Sequence, residues 1–94
     1  MKILALEVEN PACAQTVNPE LLREEALAVK QLMQAGWIRE IYFHAEAHTA
    51  VIVMEAQDRS EAEAFLFGLP LVRSGAIRFD IIPLEPYDGF NRLL

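Results

Sequence analysis

Glu7, Tyr42, His44, Arg78 and Asp80 are the side chains of this 94-residue chain whose types and spacing could do chemistry together. They lie on three segments that alternate with a period of two. Counted along them, all five fall on one face of the resulting sheet, turned away from the helices, provided no bulge reverses a strand. A carboxylate at Glu7, on a central strand, is partly desolvated. Its pKa then rises, which suits it to take a proton from carbon. Tyr42, His44 and Arg78 could donate to an enolate oxygen as charge develops there, with Asp80 as a ligand contact beside them. A plainer reading of the same residues is a purely structural Glu7–Arg78 ion pair, since such pairs perturb pKa without catalysing anything.

Three other features compete for a role. The stretch "HAEAH" sets His44 and His48 four apart, a metal-binding spacing on a helix. Here the two flank a hairpin turn with no third ligand near in sequence, so a solvated turn with His44 at the mouth of the sheet is the preferred reading. Cys13 follows Pro11 in a loop with no basic neighbour to lower its pKa. Trp37 opens a strand directly after a helix, as a ligand-stacking or, more simply, a packing residue. Neither a metal nor a cofactor is called for.

The elements that must position these groups are legible. "KILALEVE" alternates and predicts a first strand. "NPACAQTVNPE" reads as a loop. Asn18-Pro19-Glu20 supplies a cap, a first-turn proline and an acid at the positive dipole end, so a helix runs to about Ala35, with Gly36 beyond it. Leu22, Ala26, Val29 and Met33 form its apolar stripe. "WIREIYFH" and "TAVIVMEA" predict a hairpin of strands. Asp58-Arg-Ser-Glu61 opens a second helix through Phe67, which Gly68 ends. "GLPL" reads as a covered apolar connection, "AIRFDIIPL" as a fourth strand, and residues 85–94 as a tail whose Tyr87 and Phe90 pack on a neighbouring subunit or lid a pocket.

The order β-α-β-β-α-β predicts an α+β, ferredoxin-like fold: one domain over residues 1–94, with a four-stranded antiparallel sheet covered by helices on one face. Leu4, Leu6, Val8 and Ile77, Phe79, Ile81 are the expected helix-facing sets, leaving Ile3, Ala5 and Ile82 on the other. So apolar an open face predicts a homodimer packed sheet to sheet.

Composition narrows the partners. A hydrophobic fraction of 53% excludes disorder, and a net charge of −6 (8 basic, 14 acidic side chains) argues against nucleic acid and anionic membranes. The single cysteine fits a reducing compartment. The apolar run at Met1–Leu6 is too short for a secretory signal, and a cytoplasmic location is expected.

Gly36-Trp37, the "GLPL" run of Gly68–Leu71 and the Pro83-Leu84 end of the fourth strand resemble the muconolactone Δ-isomerase family, over most of the chain in element order and spacing. A weaker similarity is to the YciI-like proteins, whose Asp-Pro pair is here Leu69-Pro70. The resemblance implies a dimeric α+β barrel, a higher ring of dimers, and a pocket for a small organic molecule between sheet and partner. It also implies a proton-shifting isomerisation of a small unsaturated lactone or related acid, but carries no catalytic residue over, so Glu7 as base rests on the strand parity alone. A barrel kept as a non-catalytic binding or assembly module is the alternative. After "GLPL" the family continues differently from Val72-Arg73-Ser74-Gly75, and the shared residues are mostly structural.

Overall fold

A computed structural model describes residues 1–94. Four strands, β1 (Lys2–Glu9), β2 (Ile38–Phe43), β3 (Ala50–Glu55) and β4 (Ile77–Pro83), form one antiparallel sheet in the order β2-β3-β1-β4. Helices α1 (Pro19–Gln34), α2 (Arg59–Phe67) and the single turn α3 (Pro70–Arg73) complete the ferredoxin-like arrangement. Short 3-10 helices cover Pro11–Thr16 in the first loop and Gly89–Leu93 in the tail. No helix is long and apolar enough to cross a membrane.

The helix starts form as their residues dictate. Asn18 Oδ1 accepts the Leu21 N–H at 2.8 Å, with Pro19 in the first turn. At the other end Gly36 takes a φ of +86°, a left-handed conformation that a Cβ would strain. Asp58 Oδ1 accepts the Glu61 N–H at 2.8 Å, and the Glu61 carboxylate reaches back to the Gln57 N–H at 2.9 Å. The reciprocal pair therefore closes one residue earlier than in the usual capping box.

The covered face of β1 differs from expectation. Ile3 and Ala5 are fully buried against the helices, whereas Leu4, Leu6 and Val8 look outward. Register is the reason. Ile77, Phe79 and Ile81 do face the helices, and residues opposite one another share a face. Ala5 lies opposite Ile81 and Glu7 opposite Phe79, so both must follow. With apolar residues at both parities, alternation alone does not choose between the faces.

The core under the helices joins Ile3, Ala5, Ile38, Ile52, Met54, Ala62, Leu66 and Leu69. Outside, Leu4, Leu6, Val8, Val51, Val53 and Ile82 line the uncovered face. An apolar face survives there, built from the other parity of β1. The "GLPL" connection is more regular than a loop: Leu69 is 1% exposed, and Pro70 opens α3. In the tail, Tyr87 and Phe90 meet edge to face with ring centroids 5.0 Å apart, and both rings are exposed.

Candidate active site

Helix α1 buries no residue completely, although its stripe is apolar. Ala28, Val29 and Leu32 pack against the core, and beside them the helix leaves a cleft of about 690 Å³ against the sheet. Its sheet wall is Glu7 of β1, Ile41 and Phe43 of β2, and Ala50 of β3, with His48 from the β2–β3 turn. Its helix wall is Leu22, Glu25, Ala26, Val29, Lys30 and Met33, and Leu71 of α3 closes one end. Leu22, Met33 and Phe43 stay 49%, 40% and 61% exposed around it, which is large apolar surface left free at the rim.

A bulge at Arg39 decides what β2 contributes. Ile38 pairs with Met54 and Glu40 with the next residue, Val53, so the extra residue shifts the alternation. Ile41 and Phe43 consequently turn toward α1, and Tyr42 turns outward. His48, at a φ of +56°, stacks its ring on Phe43 with centroids 4.0 Å apart and 20° between planes.

The cleft holds two carboxylates. Glu7 Oε1 accepts the Ala50 N–H at 3.1 Å, and Glu25 Oε1 accepts the Leu71 N–H at 3.0 Å. Burial pushes the Glu25 carboxyl above its ordinary value of 4.5. The Leu71 bond opposes that rise, and the charge of Glu7 adds to it. A carboxyl group held in its protonated form by burial is suited to act as an acid.

The expected site residues are distributed differently. Glu7 faces the helices, not the outer sheet face, and its partner is a backbone amide rather than Arg78. Tyr42, Arg78 and Asp80 do lie on the outer face, opposite or beside apolar residues. There Arg78 is ion-paired with Asp80, and the Tyr42 hydroxyl donates to Glu40 at 2.8 Å. That bond to a carboxylate holds the Tyr42 hydroxyl above its usual range. His44 lies past the end of β2, where its Nδ1 accepts the N–H groups of Glu46 and Ala47 at 3.1 and 3.0 Å. It braces the turn and is spent there. Trp37 stacks on Phe65 of α2, centroids 4.5 Å apart, so its ring is committed to packing. The outer-face residues and Glu7 are therefore on opposite sides of the sheet.

Glu25 and His48 enter in their place. Glu25 has a sequence signal: it lies three residues after Leu22 and four before Val29, inside the apolar stripe, where a carboxylate has to face the sheet. His48 is visible only through its turn. A smaller groove of about 220 Å³ between α2 and β4 holds Arg59 and Arg78, each already ion-paired, with Glu63 and Asp80 respectively.

The family model described as muconolactone delta-isomerase matches residues 4–89. The chain belongs to the muconolactone delta-isomerase family. Within this family's fold, the chain is similar to a muconolactone isomerase crystal structure at 17% identity and a TM-score of 0.72, covering 94% of this chain and 92% of that one. It is also similar to 5-chloro-2-hydroxyhydroquinone dehydrochlorinase from Burkholderia phenoliruptrix AC1100, solved in complex with 2,5-dihydroxybenzoquinone. That match has 15% identity and a TM-score of 0.63 and covers 95% of this chain and 98% of that one. No curated protein matches the chain significantly. At these identities the two structures establish the fold that the muconolactone delta-isomerase family member adopts.

Proposed function

We propose that the chain is a small isomerase that moves a proton within an unsaturated lactone or related small organic acid, in the cleft beneath α1. The observation that carries this reading is the pair Glu7 and Glu25 on opposite walls of one largely apolar cavity. Glu7 is the base: its free oxygen takes a proton from a carbon conjugated to the substrate carbonyl, and the C–H electrons pass into an enolate. Glu25, which burial and Glu7 keep protonated to higher pH than an exposed carboxyl, returns a proton at the remote carbon. The double bond moves and the composition of the substrate is unchanged. Proton exchange between the two carboxyl groups, directly or through water, restores the starting state. Family membership supports the reaction class, as do the names of the two similar structures, both enzymes of small ring compounds.

The uncovered sheet face supports self-association. Leu4, Leu6, Val51 and Val53 form a strip that a second copy can cover through a two-fold contact. The exposed Tyr87 and Phe90 give the tail apolar surface to place on a neighbouring subunit.

The deciding experiment soaks and assays small unsaturated lactones, following the double-bond shift by ultraviolet absorbance, with the native chain and Glu7→Gln. Turnover that the substitution abolishes supports the reading. An unchanged rate removes Glu7 from the mechanism. Binding of lactone in the cleft without turnover makes the chain a ligand-binding module.

A further inference from the structure

The two cleft carboxylates are held alike. Each places Oε1 on a backbone amide of a distant element, and neither makes a further hydrogen bond within the protein through Oε2. For Glu25 that amide is delivered by four consecutive residues. Gly68 ends α2, and Leu69 is locked into the core at 1% exposure. Pro70 takes the first position of α3, where its fixed φ suits the turn. The Leu71 N–H then falls in the first turn of α3, where no carbonyl within the helix can receive it. Val72 and Arg73 donate to the Leu69 carbonyl, and Leu71 donates across to α1.

We infer that Leu71 is a positioning residue of the proton-transfer site: its backbone N–H fixes Oε1 of Glu25, so that Oε2 is the oxygen that carries the proton into the cleft. The inference rests on the isomerase reading above. It gives the "GLPL" run a second task beyond ending a helix. A hydrogen bond to a carboxylate favours the charged form, so the turn also restrains the rise that burial and Glu7 impose on Glu25. The titratable groups facing Glu25 are Glu7 from β1, Lys30 from its own helix and His48 from the β2–β3 turn. None of them supplies a directional donor to Oε1.

The test follows the Glu25 side-chain carboxyl carbon and the Leu71 amide by NMR across an acid-to-neutral titration of the isotope-labelled full chain. Both signals are expected to move with one midpoint, and Glu25→Gln is expected to abolish the movement at Leu71 while the other amides report an intact fold. Leu71→Pro deletes the donor at a first-turn position whose N–H makes no bond within the helix. It is expected to shift the Glu25 midpoint upward, and any pH–rate limb governed by Glu25 with it. Leu71→Ala retains the N–H and opens the end of the cleft, so its midpoint stays or falls, opposite in direction to the proline variant. A Leu71 amide that stays flat through the Glu25 transition overturns the inference, as does an unmoved midpoint in folded Leu71→Pro. The native and Glu25→Gln measurements decide even if the proline variant does not fold. Coincident titrations without turnover of any lactone overturn the isomerase reading instead and leave the Leu71–Glu25 linkage standing, so the two fail separately.

Discussion

Glu7 and Glu25 reach one cleft from opposite walls, Glu7 from the central strand β1 and Glu25 from α1, and the charge of Glu7 helps to raise the pKa of Glu25. The loop between β1 and α1 separates them in sequence and hides a relationship that the fold makes direct. Removing the Glu7 carboxyl therefore changes Glu25.

For Glu7→Gln, kcat for lactone isomerisation is expected to fall by roughly 10²–10⁴-fold, the usual contribution of a positioned acid or base. The amide oxygen still accepts the Ala50 N–H, so the thermal midpoint should hold nearly constant. The Glu25 titration midpoint should drop, because one negative neighbour is gone. Steady-state kinetics and carboxyl-carbon NMR read the two effects independently.

For Glu25→Gln the expected effect is on stability, and its sign follows from linkage. The folded protein holds the Glu25 proton to higher pH than the unfolded chain, whose value is near the ordinary 4.5. Glu25 thus favours the fold most below that value, and the advantage is lost as pH rises through the folded midpoint. Glutamine cannot lose a proton, yet it can still accept from Leu71. Its stability relative to the native chain should therefore increase with pH across that interval. Denaturant midpoints measured at a series of pH values test this, and a constant difference contradicts it.

For His44→Ala, the hairpin loses the acceptor of the Glu46 and Ala47 N–H groups. A loss of about 1–2 kcal/mol is expected, in the range of a lost cap, with kcat/KM for the lactone unchanged. Chemical denaturation and kinetics together distinguish this bracing role from a catalytic one.

For Leu6→Asp, a charge enters the middle of the uncovered face opposite Val51 and Asp80. The native chain of 10.6 kDa is expected to run as a dimer or larger assembly in light scattering, with a thermal midpoint that rises with concentration. The variant should run as a monomer with a concentration-independent midpoint. A native monomer excludes the sheet-to-sheet contact.

The order of the four strands and two long helices was legible because each of those helices begins on residues with one preferred role: Asn18 before Pro19, and Asp58 before Glu61. The alternation of Ile77, Phe79 and Ile81 correctly assigned the inner face of β4. It failed for β1 because Ile3 and Ala5 are as apolar as Leu4 and Leu6, so pairing with β4, a long-range property, makes the choice. Glu25 went unread because a charged residue on a helix is ordinarily solvated. Only its place inside the apolar stripe gives it away. Pro70 announced the end of α2 but not α3, since four residues leave no periodicity to detect.

The extra residue in β2 has an evolutionary meaning. Strand parity is a binary property, and Arg39 sets it for everything from Glu40 to Phe43. Pairing Arg39 regularly opposite Val53, instead of bulging it, would rotate Ile41 and Phe43 out of the cleft and bring Glu40 and Tyr42 in, replacing a hydrocarbon floor with an acid and a phenol. Two different reaction environments in this scaffold are thus separated by whether one residue is bulged or paired, with the helices, the core and both cleft carboxylates left where they are.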